Sequence, residues 1–239
     1  SSSALYASID DDDDDEDGLD SLIGKKLGID IGSQLPSLSP EEIADIKVAA
    51  QATLDEAIAY PTSTLPGLGC IPTSEGLDRL FELKARSSQK PVSIGVASLD
   101  QVRDMVDIHP DIEVFLAAFP RGCFSVIFPS KEPLDERIGG DSIAIRVFDH
   151  PIARQLAETV GPVTATSANE AGEEPALTVR DAAEELGLQE IAILDGNRLT
   201  GPGSTFVKFD FNNPDSLVTV IREGVVPTND VVSWWKNRR

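Results

Sequence analysis

Hydrophobic positions along this chain change period several times, and each change marks an element. Over 39–59, Ile43, Ile46, Val48, Ala49, Leu54 and Ile58 recur at helical spacing. Ser39-Pro40-Glu41-Glu42 opens that run as an N-cap, a proline at the first helical position and acid in the first turn. A helix over 39–59 is therefore predicted, with strand and loop following through AYPTSTLPGLGC. A second helix is predicted over 74–84, where Leu77, Leu80, Phe81 and Lys84 share a face. PVSIGVAS reads as a short strand and SLDQVRDMV as a helix capped by Ser98. CFSVIFPS and SIAIRVFD are β-prone, HPIARQLAETVG returns to the helical period, and PVTATSAN reads as a strand again. After a helix in TVRDAAEELG come strands near IAILDG, STFVKFD and SLVTVIREG. VVSWWKNRR reads as a helix or tail whose Trp234 and Trp235 cover part of the body.

Strands and helices alternate, with several β runs back to back, which defines an α/β fold built on an open sheet of mixed direction with flanking helices. The chain has 239 residues, 41% of them hydrophobic, enough for one main domain over 39–239. Residues 1–38 read differently. Asp10 to Asp17 is an unbroken acidic run, and nine acids precede the first base, Lys25. Like charges repel and bury nothing, so 1–38 is expected to be an acidic, disordered leader.

Formal net charge is -21, which excludes broad electrostatic capture of nucleic acid or an anionic membrane; any RNA contact would be local. No run approaches the 18 apolar residues of a membrane span, so a soluble protein with no membrane partner is expected. The Ser-rich opening SSSALYAS, without an initiator Met, fits removal of an organelle address; cytoplasm, plastid or mitochondrion are the compartments expected. Cys70 and Cys123 are the only cysteines and His109 and His150 the only histidines. Their spacing gives no ligand pattern, so no protein-bound metal is expected.

Phosphate loops of the G-x-x-x-x-G-K-[ST] and G-x-G-x-x-G types are missing, as is a serine nucleophile elbow. What the chain does offer is small hydroxyl and basic residues at the ends of β runs, where α/β proteins place ligands. Thr62, Ser63 and Thr64 follow the first helix, and Lys84, Arg86 and Lys90 follow the second. Arg146 lies inside an apolar run, Ser167 and Asn169 end another, Gly201, Gly203, Ser204 and Thr205 open a third, and Arg222 ends the last. Converging, they would make a cationic, hydroxyl-rich pocket suited to phosphates and a carboxylate. Singly, each has a plainer reading: Lys84 and Arg86 answer a helix dipole, Ser167 and Asn169 cap, and GPGS turns the chain. Arg146 is the exception, because a buried guanidinium needs an anionic partner, whether Asp, Glu or ligand.

The ordered series YPTSTLPGLGC, LKAR, SIAIRVFDHPIA, TATSANEAG, ILDG, GPGSTFV and VIREG resembles the YrdC family of threonylcarbamoyl-adenylate synthases, single-domain type, over about 42–225. The resemblance implies an open twisted sheet like that of dihydroxybutanone-phosphate synthase (YrdC/RibB-like), with a large concave cavity. It also implies a nucleotidyltransferase that joins L-threonine, bicarbonate and ATP, as its magnesium complex, into threonylcarbamoyl-AMP and pyrophosphate. That product serves threonylcarbamoyladenosine modification of tRNA through a downstream threonylcarbamoyl transferase, and some relatives bind double-stranded RNA. By position, Lys84 and Arg86 match the family's catalytic Lys-x-Arg pair. Thr62, Thr64, Arg146, Ala165 and Ser204 match threonine-binding positions, and Arg86, Lys90, Ser142, Ser167, Asn169, Pro175 and Arg222 match ATP-binding ones. The chain departs from the family pattern at Pro66, where a tyrosine is usual, at Gly95, at Arg121-Gly122-Cys123, at Ser125 and at Asn197. A non-catalytic binding or scaffold protein on this fold, or a relative with a changed amino-acid substrate, is therefore the alternative.

Overall fold

The computed structural model describes residues 37–52, 57–196, 202–213 and 217–237. The acidic leader up to residue 36, Leu54, Asn197 and Gly201 lie outside the described residues. Helix α1 (Pro40–Ala52) begins at a reciprocal capping box: the Glu42 amide donates to Ser39 Oγ at 3.2 Å and the Ser39 amide to Glu42 Oε2 at 2.7 Å. The predicted helix over 39–59 is corrected at its end, because Ile58–Tyr60 is strand β1. Ile58 stands four residues after Leu54, which reads as helical. The strand instead arises from pairing: Ile58, Ala59 and Tyr60 lie antiparallel to Gly69, Leu68 and Gly67 of β2 (Gly67–Gly69).

The chain continues through α2 (Ser74–Leu83), β3 (Ser93–Val96), α3 (Pro110–Ala117), β4 (Phe124–Pro129), β5 (Ser142–Val147) and α4 (Pro151–Val160). Then follow β6 (Val163–Ser167), α5 (Val179–Glu185), β7 (Thr205–Phe209), β8 (Val218–Arg222) and α6 (Thr228–Asn237). Two other expectations are corrected. SLDQVRDMV is only a 3₁₀ turn, Leu99–Val102, in which Ser98 makes no cap. Gln101 holds it instead, accepting from the Ala97 amide and donating to the Ala157 carbonyl, both at 2.7 Å. IAILDG is a 3₁₀ turn, Glu190–Ala192, followed by a single parallel bridge from Ile193 to Ala59. The eight-residue α3, with Ile112 and Phe115 buried, was not foreseen.

The eight strands form one open mixed sheet in the order β1-β2-β6-β3-β5-β4-β7-β8. β3–β5 and β4–β7 are parallel, and the other neighbours are antiparallel. A large apolar cluster joins Ile94, Val126, Ile143, Ile145 and Val207 of the strands to Leu77 and Leu80 of α2 and Phe115 of α3. Trp234 and Trp235 of α6 close onto Phe115, as expected of the terminal segment. A second cluster packs Ile46 and Ala49 of α1 against Ile152 and Leu156 of α4, with Tyr60, Phe148 and Val163 beneath. Each fully buried Ile or Leu contributes about 1.5–3 kcal/mol relative to exposure. No helix among the described residues is long and apolar enough to cross a membrane.

His150 caps α4, its Nδ1 accepting from the Ile152 amide at 3.3 Å ahead of Pro151. The ring is buried and Nε2 has no partner among the described residues. Burial lowers its pKa from 6.5 to about 4, against a smaller opposing pull from Glu42. Because the unfolded chain takes up this proton first, stability is lost as pH falls from 6.5 toward 4. His150→Asn keeps a capping oxygen without a titrating ring. Denaturation at pH 7 and pH 4 should show the wild type losing about 3 kcal/mol more than the variant; equal losses would refute this reading.

Candidate functional site

Alternation along the strands builds the site. On β5, Ser142, Ala144 and Arg146, with Phe148 just beyond, line a cavity, while Ile143 and Ile145 point into the large core. β4 repeats the pattern, with Ser125 and Ile127 toward the cavity and Phe124, Val126 and Phe128 away. Ser204 and Phe206 around β7, Ser93 of β3, and Ala165 and Ser167 of β6 complete the floor. The cavity is about 520 Å³, within the range of small-molecule sites. Small and hydroxyl side chains leave the volume open.

The loop between β1 and β2 makes one wall. Thr62 Oγ1 accepts from the amides of Thr64 and Leu65 at 3.2 and 3.3 Å and donates to the Leu65 carbonyl at 2.7 Å, so one side chain folds the turn. Thr64 is thereby presented to Arg146, whose Nη2 donates to Thr64 Oγ1 at 3.0 Å and to Ser63 Oγ at 3.2 Å. Arg146 Nε donates to the Gly122 carbonyl at 2.9 Å. Gly122 has φ +79°, and a Cβ there would stand 2.6 Å from Ser63 Oγ, so glycine is required. Pro66 is buried outside the cavity, its carbonyl accepting from the Ala168 amide at 2.9 Å.

Three arginines, Arg86, Arg146 and Arg222, line the cavity, and among the described lining residues there is no Asp or Glu. Burial pulls each guanidinium below the usual arginine value, although arginine stays charged. The hydrogen bonds of Arg146 reach the neutral oxygens of Gly122, Ser63 and Thr64, while the nearby charge of Asp149 favours the guanidinium against the larger effect of burial. Arg86 is anchored through the carbonyls of Lys90 and Pro91, at 2.7 and 3.0 Å. Arg222 lies 4.2 Å over the Phe206 ring and donates to the Ser204 carbonyl at 3.2 Å. A β-bulge at Phe206/Val207 sits beside this contact. Ser204 and Ser125 share a hydroxyl hydrogen bond of 2.8 Å.

Of the residues singled out in the sequence, Thr62, Thr64, Arg86, Ser142, Arg146, Ala165, Ser167, Ser204 and Arg222 line this cavity together. Lys90 is exposed and Pro175 half-buried, both outside the lining. Asn169 is buried behind the floor, its Nδ2 donating to the carbonyls of Glu170 and Glu173 at 2.8 and 2.7 Å. Sequence reading missed Tyr60, Ser93 and Phe148 as lining residues, while Ser125 was noted only as a departure from the family pattern. For Ser93 the signal available was a two-residue alternation of small against bulky residues; the bulky Tyr60 and Phe148 gave none.

Lys84 is not among the residues that line the cavity. Its ammonium is buried and donates to the carbonyls of Ser167 and Asn169, tying the end of α2 to the end of β6. Ala85 between Lys84 and Arg86 is left-handed at φ +45°, costing about 1–2 kcal/mol. That turn sends Lys84 inward while Arg86 reaches the cavity. Burial first, then the Arg86 charge, lowers the Lys84 pKa from 10.5 to about 8. A lysine so lowered opposes folding while charged, and this penalty fades as pH rises from 8 toward 10.5. The stability of wild type relative to Lys84→Met should therefore increase between pH 7.5 and 10 in chemical denaturation; a flat difference would remove the buried charge from the account.

The Sua5/YciO/YrdC family model, described as telomere recombination, matches residues 53–224. The chain therefore belongs to that family. A threonylcarbamoyl-AMP synthase of Vibrio campbellii is 36% identical over 149 residues, 59% of this chain and 80% of that protein. One of Pseudomonas aeruginosa is 37% identical over 148 residues, 60% and 80% of the two chains. Sua5 of P. abyssi, solved in complex with L-threonine, superposes with a TM-score of 0.70 at 28% identity, covering 80% of this chain. This chain spans only 57% of that Sua5. E. coli YciO, at 21% identity and TM-score 0.64, covers 80% of this chain and 94% of its own, and supports the fold alone.

Proposed function

We propose that this protein is a threonylcarbamoyl-AMP synthase, a nucleotidyltransferase acting in threonylcarbamoyladenosine modification of tRNA. The observation that carries the reading is Arg146, a buried cation in a cavity whose described lining holds no carboxylate. The charge of Asp149 offsets burial only in part, and an anionic ligand compensates the rest. The carboxylate of L-threonine fits, with the hydroxyls of Thr64 and Ser204 nearby to receive or donate hydrogen bonds. Relatives named for this activity and a Sua5 solved with L-threonine support the same assignment.

In the reaction proposed, the threonine amine attacks carbon dioxide derived from bicarbonate, losing a proton and giving a carbamate. A carbamate oxygen then attacks the α-phosphorus of ATP, the bond to the β-phosphate breaks, and pyrophosphate leaves. Arg86 and Arg222 neutralise the triphosphate, which arrives with its own magnesium ion as part of the substrate. Ser142 and Ser167 supply hydroxyls along the floor. No covalent enzyme intermediate is required, so the protein contributes position and charge. Lys84 contributes by fixing Ser167, and Asn169 by holding the loop that follows.

Incubation with ATP, bicarbonate and L-threonine should release pyrophosphate in a threonine-dependent manner. Arg146→Gln should raise the KM for threonine about 100-fold with little change for ATP. Arg86→Ala should raise the KM for ATP about tenfold or more. Absence of threonine-dependent adenylate from the wild type would refute the function, and an unchanged threonine KM in Arg146→Gln would refute the site.

A further inference from the structure

Phe148 and Tyr60 form an aromatic wall that the assigned chemistry does not use. Phe148 follows Arg146 by two residues and shares its face, and both rings line the cavity although neither is exposed to solvent. Their centroids are 5.5 Å apart with planes at 73°, an edge-to-face pair. Three glycines make room for them. A Cβ at Gly67 or Gly69 would come within 2.7 or 2.8 Å of the Tyr60 ring, and one at Gly95 within 1.9 Å of Phe148 Cζ. The Phe148 ring thus occupies the space into which any side chain at position 95 would point.

The wall is joined to the polar end of the cavity by contact. Thr62 and the Tyr60 ring flank Gly67 together, Thr62 and Thr64 hydroxyls are 3.3 Å apart, and Thr64 meets Arg146 at 3.0 Å. Tyr60 is also fixed at its other end, its hydroxyl donating to the Thr164 carbonyl at 3.0 Å. An amino acid whose carboxylate meets Arg146 therefore has a rigid apolar surface, backed by α1 and α4, close to its side chain.

We infer that Phe148, braced by Tyr60 over Gly95, sets how large an amino-acid side chain this site accepts. The inference rests on the proposal that the Arg146 end binds the amino acid. A closed aromatic wall at this end limits the reach of a side chain, and longer chains are excluded by overlap with it. Discrimination by one or two methylenes in an apolar pocket is worth about 10–200-fold.

The test compares kcat/KM for L-threonine, L-norvaline and L-leucine in wild type, Phe148→Ala and Phe148→Leu, by amino-acid-dependent pyrophosphate release. Phe148→Ala should lower the threonine-to-norvaline ratio about tenfold or more, chiefly through KM, and Phe148→Leu should lower it less. Should Phe148→Ala lose its circular-dichroism melt, Phe148→Leu alone decides, with a threefold fall in the ratio as the threshold. A ratio unchanged while the wild type turns over threonine overturns this inference and leaves the proposed function standing. No turnover of threonine by the wild type overturns both.

Discussion

A guanidinium held in the floor of a cavity and bonded to neutral oxygens is the interaction around which the structure is arranged. Arg146 sits in a central strand, between β3 and β4, so its burial follows from the sheet itself. The turn at Gly122, the hydroxyls of Ser63 and Thr64, and the fold of the β1–β2 loop through Thr62 all serve to hold that charge in one direction. A buried charge is costly, and here the nearby charge of Asp149 offsets part of that cost. What remains of that cost favours an anionic ligand beside the guanidinium.

The same strands explain why the cavity exists. A residue period of two requires β5 to be apolar on the side of Ile143 and Ile145, and leaves the other side free to be small, as at Ser142 and Ala144. α1 and α4 pack over only part of that second side, above Tyr60, Phe148 and Val163. The remainder stays open as the cavity. Lys84 then links the end of α2 to the end of β6 through the backbone carbonyls of Ser167 and Asn169.

Much of this was legible in the sequence, because charges and hydroxyls announce themselves by type. Arg146 was picked out inside an apolar run, Thr64 after the first helix, and Ser204 and Arg222 at the ends of β runs, and the structure brings them to one cavity. Ser93 and Phe148 were not, since which side of the sheet a residue in or just beyond a strand occupies is settled only once the register is known. Ile58 was read as helical from its spacing to Leu54, although pairing with β2 decides its conformation. α3 escaped because Ile112, Val114, Phe115 and Leu116 are nearly contiguous and its period is hidden in eight residues. The inward direction of Lys84 depends on the backbone of Ala85, which no residue type announces.

The cationic floor belongs to a chain of net charge -21, and this has a consequence for how ligands arrive. At a distance the field of the whole molecule repels anions, while close to the arginines it attracts them. Added salt shortens the reach of both fields, with a screening length near 10 Å at about 0.1 M. The outer repulsion is weakened most, since the inner attraction acts over contact distances in a partly desolvated cavity. Encounter with an anionic substrate should therefore quicken as ionic strength rises from very low values, the reverse of the behaviour of a protein that draws its ligand in by its overall charge.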